Sequence, residues 1–470
     1  MTQWEPVIGL EIHVQLDTRT KMFCGCALSF GEPPNSRTCP VCLGLPGTLP
    51  VVNAQAVHFA LMMGMALGCE IAPRSIFHRK NYFYPDQAKN YQISQYDIPI
   101  CSGGRLGDVR LHRIHLEEDA AKLVHLGESG RIHGADASIV DYNRGGTPLC
   151  EIVTEPDIHS AEQARDWLNL LRVTLRQLGV SDVNMEEGSL RCDANVSVRP
   201  AGSTELGTKT ELKNMNSFRY LERGVNAEIE RQIALLEAGE PVVQETQHFD
   251  PASGRLSSLR SKEEAHDYRY FPEPDLVPLV PTEDMIAAAR AALPELPADR
   301  EKRYLAEFGL AADPARLLAY EPQWGDYFER VDADGKAAAN WVEQLRARIG
   351  ADADPAASKV TPQALAQLIG LVGERTINAG AGRQVLDALV AEGGDPAAIV
   401  EREGLGSMGG GDELAGVVAA AIAANGDAAD KVRGGNAKAM GPIVGFVMRE
   451  TKGRADGGEV GRLIREQLGV

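Results

Sequence analysis

An acidic and an imidazole side chain share one strand-like segment near the start of the chain. Residues 7–16 alternate apolar and polar side chains with a period of two, which is typical of a half-buried β-strand. Glu11 and His13 are two residues apart, so their side chains leave the same face of that strand. A carboxylate beside an imidazole on a rigid strand is half of a metal or phosphate-handling site. A solvated strand face explains this segment equally well, so the choice between the two interpretations depends on where the other acidic residues lie.

Two later segments hold carboxylates in similar surroundings. Glu151 lies inside the apolar, strand-like run 147–157, where an unpaired carboxylate would be costly to bury and needs a cation or a hydrogen-bond donor. Glu117 and Glu118 belong to a row of three acids at a strand-to-turn boundary, and such a row is usually just a solvated turn. Of the two segments, the one around Glu151 favours a site built from strand carboxylates.

A third group of acids follows on or beside strand-like segments. Residues 189–199 alternate apolar and polar side chains, with Asp193 on the polar side and Glu187 just before the segment. Glu211 is in line with two lysines in the segment 209–214. Both segments are predicted strands with a polar face.

Four cysteines form a C-x-C and a C-x-x-C motif separated by twelve residues, and they are Cys24, Cys26, Cys39 and Cys42. Four thiolates at this spacing can close tetrahedrally on zinc, in a Gly- and Pro-rich loop that a metal would stabilise. Simple burial of free thiols is the alternative. Because no open coordination position is implied, the spacing predicts a structural zinc site.

Basic and aromatic side chains interleave in residues 79–86, and a similar composition continues to residue 95. Arg79, Lys80 and the nearby Lys89 are the cations of this region. Such a loop suits phosphate binding and base stacking. An aromatic plug with solvated cations is an equally good interpretation of the residues alone.

Composition limits the class of protein. A chain of 470 residues is too long for one core and suggests two to four domains. No run approaches the ~18 apolar residues of a membrane span, and the N-terminus lacks a signal-peptide pattern, so we expect a cytoplasmic protein without membrane contact. A net charge of -18 argues against a non-specific nucleic-acid coat.

The charge reverses near the C-terminus. Residues 431–465 carry eight lysines and arginines against three acids, a local balance of +5. This reversal predicts a small polyanion-binding tail. A solvated helical face is the alternative.

Helix and domain signals surround the strand-like segments. Asn53, Ser160 and Ser217 are predicted N-caps of helices that run to about residues 67, 178 and 237. Prolines recur over residues 271–297, which predicts a break in regular structure at the edge of the first domain. Beyond it the strand patterns stop and the sequence is rich in alanine and leucine.

We predict an α+β fold with a β-sheet domain and flanking helices at 1–294, an all-α helical domain at 295–405 and a small helical tail domain at 406–470. Residues 404–409 match G-x-G-x-x-G but follow a helical pattern. We therefore interpret them as a hinge and not as a dinucleotide site.

Eight segments taken in order carry a resemblance to a known family. They are VIGLEIHVQL, RKNYFYPD, HLEEDAAK, TPLCEIVTEPD, VNMEEGSLRCDANVS, TKTELKNMNSF, DYRYFPEPDL and GNAKAMGPIVGFVMRETKG. Together they resemble the B subunits of the tRNA-dependent amidotransferases, which convert Glu-tRNA(Gln) or Asp-tRNA(Asn) to Gln-tRNA(Gln) or Asn-tRNA(Asn). The resemblance covers essentially the whole chain. It implies a cradle-like catalytic domain, a helical domain and a C-terminal tail that binds tRNA.

The resemblance also implies a site. ATP phosphorylates the substrate carboxylate, a step that needs Mg²⁺, and the matching motifs contribute Glu11, His13, Glu118 and Glu151 as ligands. Histidine is an uncommon Mg²⁺ ligand, so His13 can instead orient a water or favour Mn²⁺. The choice of Glu118 over Glu117 follows the family pattern and a guess at strand phase.

Further roles are implied for other residues. Glu187, Asp193 and Glu211 hold a second metal or take a proton from incoming ammonium. Since no P-loop motif is present, the basic loop supplies the cofactor-binding candidates, which are Arg79, Lys80 and Lys89.

The implied partners are the amidase (glutaminase) or A subunit, the small C subunit, and the charged tRNA, with the cognate non-discriminating aminoacyl-tRNA synthetase as a further candidate. A non-catalytic, zinc-containing, tRNA-binding scaffold is the alternative function. It would have no reason to bury Glu11 and Glu151 in apolar strands. A free-standing metal hydrolase is disfavoured, because the sequence has no H-E-x-x-H motif.

Overall fold

The computed structural model describes residues 3–29, 31–126, 135–213, 215–251, 253–258, 268–406, 412–451 and 454–470. The chain folds into two compact units, Met1–Ala298 and Asp299–Val470. The first unit contains the strands and the second consists of helices. The predicted α+β class is therefore confirmed.

The strands are numbered here in chain order. They are β1 (Trp4–Gln15), β2 (Glu70–Ile71), β3 (Phe77–Asn81), β4 (Tyr91–Gln95), β5 (Cys101–Ser102), β6 (Arg105–Leu106), β7 (Val109–Glu118), β8 (Lys122–Leu126), β9 (Ala137–Asp141), β10 (Pro148–Thr154), β11 (Leu190–Pro200), β12 (Thr210–Lys213), β13 (Thr246–Asp250), β14 (Arg255–Ser258) and β15 (Phe271–Pro272).

The helices are numbered in the same way. They are α1 (Ala54–Ala66), α2 (Ala161–Gln177), α3 (Phe218–Glu237), α4 (Glu283–Ala291), α5 (Pro297–Glu307), α6 (Ala312–Tyr320), α7 (Pro322–Glu329), α8 (Gly335–Ile349), α9 (Pro362–Gly373), α10 (Ala379–Glu392), α11 (Pro396–Glu403), α12 (Asp412–Ala424), α13 (Gly426–Arg433), α14 (Gly441–Glu450) and α15 (Gly457–Leu468), with short 3₁₀ turns at Pro355–Ala357 and Ala437–Met440.

One large sheet organises the first unit. Among the described residues its strand order is β14-β13-β12-β11-β1-β10-β7-β5-β2, with β6 paired to β7. The long strand β1 lies between β10 and β11 and is antiparallel to both. A smaller sheet of order β15-β3-β4 and a β8–β9 hairpin complete the strands.

The apolar side chains of the alternating strands form the core. Ile8, Leu10, Ile12 and Val14 of β1 are at most 1% exposed, and helices α1, α2 and α3 contribute to the same cluster. The predicted caps are confirmed, because the side chains of Asn53, Ser160 and Ser217 accept backbone N–H groups at the starts of these helices. The polar side chains of these strands therefore lie on the opposite face of the sheet, where they are available to bind a ligand.

The proline-rich segment differs from its prediction. The expected break in regular structure contains helix α4, which begins after the N-cap Thr282. The helix fits because no proline stands between Pro281 and Pro294. Proline spacing therefore limits the length of a helix here without preventing one.

The second unit contains two hydrophobic cores. One includes Trp324, Tyr327 and Trp341, and the other is built from residues between Leu414 and Leu468. Gly404 ends α11 with a φ of 62°. Residues 407–409 of the predicted hinge, and the two glycines that follow them, lie outside the described residues. In the part of the chain that the structure describes, no helix is long and apolar enough to cross a membrane.

Glu329 joins helices α5 and α7 of the second unit. Burial alone would raise the pKa of its carboxyl, but hydrogen bonds from Tyr304, Arg303 and Arg300 lower that pKa to about 2. The Arg300 side chain is itself nearly buried. A folded-state pKa below the unfolded value stabilises the fold at neutral pH, and this contribution declines as pH falls below about 4.3.

We expect Glu329→Gln to lower the free energy of unfolding at pH 7 by about 1–3 kcal/mol, because the donors around it lose a charged acceptor. Its difference from the wild type should narrow as pH falls from about 4.3 toward 2. Urea unfolding of the full chain, followed by tryptophan fluorescence, measures both effects. Asp326→Asn is the control, since Asp326 pairs with the same Arg300 but is 64% exposed. Equal stability of Glu329→Gln and the wild type at pH 7 would contradict the assignment.

Candidate active site

Strand register places four charged or titratable residues in one row across the large sheet. His13 on β1 lies opposite Glu151 on β10 and opposite Arg191 on β11. Glu151 in turn lies opposite His115 on β7. Directly paired residues project from the same face of a sheet. The row is therefore His115, Glu151, His13 and Arg191, on the polar face.

Two further acids stand on either side of this row. Glu11, two residues before His13, lies opposite Asp193. Glu117, two residues after His115, lies opposite Leu149, which is paired with Gln15. Because strand side chains alternate, Glu11 and Glu117 share the polar face.

We call Glu11, His13, His115, Glu117 and Glu151 the acid–histidine cluster. His13 Nε2 lies 3.5 Å from an oxygen of Glu117, 3.5 Å from one of Glu151 and 4.0 Å from one of Glu11. His115 Nε2 lies 3.3 Å from Glu151 and 3.8 Å from Glu117. Glu151 is therefore shared by both histidines.

The acid–histidine cluster is largely buried, and its members perturb one another. Burial alone would lower the pKa of His115, but the Glu151 and Glu117 carboxylates raise it to about 9. Burial opposes ionisation of Glu151, yet His115 and His13 hold the pKa of its carboxyl well below the usual value. Burial, reinforced by the charge of Glu151, raises the pKa of Glu11. The acid–histidine cluster thus concentrates negative charge, and the neighbouring histidines stabilise the ionised form of the Glu151 carboxylate.

Two overlapping ligand sets follow from these positions. Glu11, His13 and Glu151 each offer an atom within 4.8 Å of the others, and so do His115, Glu117 and Glu151. The carboxylate oxygens suit Mg²⁺ or Mn²⁺, and the imidazoles, which are uncommon Mg²⁺ ligands, favour Mn²⁺ of the two. The donors present therefore fit a divalent cation.

The structure places Glu118 elsewhere. Since Glu117 and Glu118 are adjacent on β7, their side chains leave opposite faces of the sheet. The Glu118 carboxylate pairs with Lys89 and accepts the backbone N–H of Ile93 at 3.0 Å. Among the predicted ligands, Glu11, His13 and Glu151 come together, whereas Glu118 lies outside the acid–histidine cluster.

The predicted second group of acids is only partly assembled. Asp193 and Glu211 both lie 3.0 Å from Lys213 Nζ, so a cation at this position would have to displace the lysine ammonium. Glu187 lies in the exposed turn before β11. The roles of these three residues stay predictions.

A cavity of about 220 Å³ opens beside the acid–histidine cluster. Its lining includes His13, Glu117, Lys80 and Arg191. The pKa of Lys80 is raised despite its burial, through Tyr270 and the Glu117 and Glu151 carboxylates. The cavity thus combines clustered carboxylates with two cations.

The other two predicted cofactor-binding residues face away from this cavity. Arg79 forms a bidentate pair with Glu273 at 2.7 and 2.8 Å, and Lys89 pairs with Glu118. Arg79 precedes Lys80 on β3, so the two side chains point to opposite sides. Of the three, only Lys80 lines the cavity.

Sequence reasoning missed His115 and the placement of Glu117. A signal for both was present, because the E-x-H spacing of Glu11 and His13 recurs in reverse as the H-x-E spacing of His115 and Glu117. Each pair shares one strand face. Arg191 gave no such signal, since its position beside the acid–histidine cluster depends on pairing between β1 and β11.

The four motif cysteines meet in a loop next to the large sheet. The Sγ atoms of Cys24, Cys26, Cys39 and Cys42 all lie within 4.8 Å of one another. Tetrahedral zinc with bonds of about 2.3 Å would hold sulfur atoms about 3.8 Å apart. The Cys39 N–H also donates to Cys42 Sγ at 3.2 Å. The four sulfurs therefore fit a tetrahedral metal.

One sulfur of this group favours the thiolate form. A hydrogen bond from Cys24, assisted by the nearby Lys21 ammonium, lowers the pKa of Cys42 to about 4. Lys21 Nζ lies 3.7 Å from Cys42 Sγ and also donates to the Tyr142 carbonyl at 3.0 Å. The Lys21 side chain is 1% exposed, so the cysteine loop is tied to the body of the first unit.

Comparison with known proteins gives long matches. A family model described as the GatB/GatE catalytic domain matches residues 6–287, and one described as the GatB domain matches residues 326–468. The B subunit of the aspartyl/glutamyl-tRNA(Asn/Gln) amidotransferase of Frankia casuarinae is 50% identical over 490 residues, covering 100% of this chain and 97% of that protein.

Proteins of the same name from two other bacteria agree. The protein of Anaeromyxobacter dehalogenans is 48% identical, with 100% of this chain and 99% of that protein covered. The protein of Geobacter sulfurreducens is 49% identical, with 99% of each covered. Because the matches extend along the whole sequence, the chain belongs to the GatB family of aspartyl/glutamyl-tRNA(Asn/Gln) amidotransferase B subunits.

Proposed function

We propose that this chain is the B subunit of an ATP-dependent, tRNA-dependent amidotransferase. It phosphorylates the side-chain carboxylate of Glu-tRNA(Gln), Asp-tRNA(Asn) or both, and then transfers ammonia to it. The family supports this function. The observation that carries it is the buried acid–histidine cluster, which opens into a cavity that also holds Lys80 and Arg191.

The chemistry requires activation because a carboxylate would have to lose oxide or hydroxide to accept ammonia. The substrate oxygen attacks the γ-phosphorus of ATP, the bond to the β,γ-bridging oxygen breaks, and ADP leaves. Ammonia then attacks the acyl carbon, and phosphate leaves with the bond electrons. A proton lost from nitrogen must reach a base, for which Asp193 and Glu211 are candidates.

We assign the divalent cation to Glu11, His13 and Glu151, with Glu117 in place of Glu118. When bound, Mg²⁺ supplies charge neutralisation at the phosphoryl oxygens. Glu151 is central to this assignment because it belongs to both ligand sets. Lys80, on strand β3 of the smaller sheet, is the proposed phosphate-binding lysine. Arg79 and Lys89 are already paired with carboxylates, so we assign them a structural role in supporting the strands of the site.

We assign the cysteine loop to a structural zinc ion, held by Cys24, Cys26, Cys39 and Cys42. The approach of the four sulfurs and the thiolate character of Cys42 support zinc. The position of Lys21 between this loop and the sheet indicates a role in stability.

The remaining assignments concern partners. Ammonia comes from the amidase (glutaminase) or A subunit, and the cytoplasmic heterotrimer is completed by the small C subunit. The basic residues of 431–465 are proposed to contact the tRNA backbone. The cognate aminoacyl-tRNA synthetase remains a candidate partner.

The alternative of a non-catalytic scaffold is less consistent with the site. Glu151 is 5% exposed, as expected, whereas the Glu11 side chain is 32% exposed and so is not deeply buried. The second deeply buried carboxylate is instead that of Glu117, which is 3% exposed. A scaffold gains nothing from two carboxylates at this depth, since buried charge is costly unless it is compensated.

Glu11→Gln should reduce ATP-dependent tRNA amidation by at least about 100-fold, because it removes a charged ligand of the proposed cation. The glutaminase activity of the reconstituted complex should persist. Glu5→Gln is the matched control, since Glu5 lies on the same strand but pairs with Arg199. Normal amidation by a folded Glu11→Gln complex would disprove the assignment.

Glu117→Gln and Glu118→Gln should differ in their Mg²⁺ requirement. Glu117→Gln should raise the Mg²⁺ concentration for half-maximal amidation by about 10- to 100-fold. Glu118→Gln should leave that concentration unchanged, because Glu118 pairs with Lys89 on the other face of the sheet. Mg²⁺ titrations of both variants provide the measurement. The reverse result would restore Glu118 as the ligand.

Purified protein should contain about one zinc ion per chain, and Cys39→Ser should lose it and melt at a lower temperature. Cys69→Ser is the control, because Cys69 lies outside the cysteine cluster. Metal analysis and thermal melting of both variants test this assignment. If chelated and zinc-loaded proteins melt alike, zinc has no structural role.

A further inference from the structure

Arg191 is a cation beside the acid–histidine cluster that the assignments above leave without a role. It lies opposite His13 in the pairing of β1 with β11. Its side chain therefore leaves the polar face and lines the same cavity as Glu117 and Lys80. Arg191 and Lys80 approach this cavity from different sheets.

Asp119 forms an ion pair with the Arg191 guanidinium. The Asp119 side chain is 3% exposed, and its Oδ1 lies 3.0 Å from Arg191 Nη2. Its Oδ2 accepts a hydrogen bond from Gln15 Nε2 at 2.8 Å, and Oδ1 accepts the Ala120 N–H at 2.9 Å. Contacts from β1 and from its own loop thus hold this carboxylate rigidly.

Two nitrogen atoms of the Arg191 guanidinium are buried without a hydrogen bond. Neither Nε nor Nη2 makes one to any atom of the described residues, although Nη2 lies 3.0 Å from Asp119 Oδ1. A buried N–H group without an acceptor is costly, and the cost rises for a charged group. Since the group lies at the wall of a cavity, an anionic ligand in that cavity would satisfy it. A guanidinium offers a planar fork of donors that matches phosphate oxygens.

We propose that Arg191 binds the phosphoryl group that passes from ATP to the substrate carboxylate, with Asp119 as its positioning residue. This inference rests on the proposed function and extends it to a specific ligand of the transferred group. During transfer, negative charge is spread over three equatorial oxygens of the phosphorus. A preorganised guanidinium stabilises that charge more in the transition state than in bound ATP.

The test uses the reconstituted complex and compares Mg·ATP with Mg·ADP. Arg191→Gln should lower kcat for amidation by about 10²- to 10³-fold, as expected when a preorganised donor is removed. Affinity for ATP should fall, whereas affinity for ADP should stay unchanged because ADP lacks the transferred group. Arg191→Lys keeps the charge but loses the fork, so it should recover only part of the lost kcat.

Arg199→Gln is the matched control. Arg199 lies on the same strand and pairs with Glu5 at 3.2 Å. The same substitution there should change neither kcat nor the affinity for either nucleotide. The control thus separates loss of a strand arginine from loss of a phosphoryl ligand.

Asp119→Asn tests the positioning role. It should lower kcat with ADP affinity unchanged, and combining it with Arg191→Gln should cost no more than Arg191→Gln alone, because both act through one guanidinium. An additive double variant would show that Asp119 acts independently of Arg191 and would overturn its positioning role.

The proposal for Arg191 is overturned if Arg191→Gln keeps wild-type kcat or loses ATP and ADP affinity equally. If Arg191→Gln does not fold, Arg191→Lys provides the test instead. Wild-type kcat in this variant, or an equal loss of affinity for ATP and ADP, would overturn the proposal. Failure of the wild-type complex to perform ATP-dependent amidation would instead refute the proposed function, so the two failures are distinguishable.

Discussion

Glu117 and Glu151 bring two carboxylates into the interior of the first unit, on neighbouring strands and within reach of the same two histidines. Burial of like charges at this spacing is unfavourable unless positive charge compensates them. His13 and His115 provide part of that compensation, and their proximity holds the pKa of Glu151 low. A bound divalent cation would replace histidine protons as the compensating charge. The charges of these residues therefore support the proposal that the site binds a cation.

The rigidity of this arrangement comes from the opposite face of the same sheet. Glu11, His13 and Gln15 of β1 alternate with Leu10, Ile12 and Val14, which are at most 1% exposed and belong to the core that the helices share. The strand therefore cannot shift by one residue without exchanging its two faces. Hydrophobic packing on one side therefore fixes the spacing of the acids on the other. The proline-free stretch occupied by α4 adds to the same core through Ala289. The geometry of the candidate site is therefore a consequence of the apolar side chains buried on the opposite face of the large sheet.

Local signals in the sequence predicted local structure well. The caps Asn53, Ser160 and Ser217 were identifiable because an N-cap depends on a side chain and the backbone a few residues away. The choice between Glu117 and Glu118 depends on strand phase, which the matching E-x-H and H-x-E spacings of Glu11–His13 and His115–Glu117 indicate. The position of Arg191 could not be predicted locally, since pairing of β1 with β11 joins residues far apart in the chain. Lys80 could not be separated from Arg79 because the segment is predicted as a loop. That prediction is wrong at its start, since residues up to Asn81 form β3 and neighbouring side chains of a strand point to opposite faces.

Two of the cations near the candidate site pair with carboxylates outside the cavity, whereas two others line it, and this difference limits which ligand the cavity can hold. Arg79 and Lys89 neutralise Glu273 and Glu118 within the framework, so they add little net charge to the cavity. Lys80 and Arg191 line that cavity together with Glu117. A purely cationic ligand would be repelled by these two side chains, and a purely anionic one by the carboxylates. A ligand that satisfies both is an anion carrying its own divalent cation, and a magnesium-bound phosphoryl group has this composition.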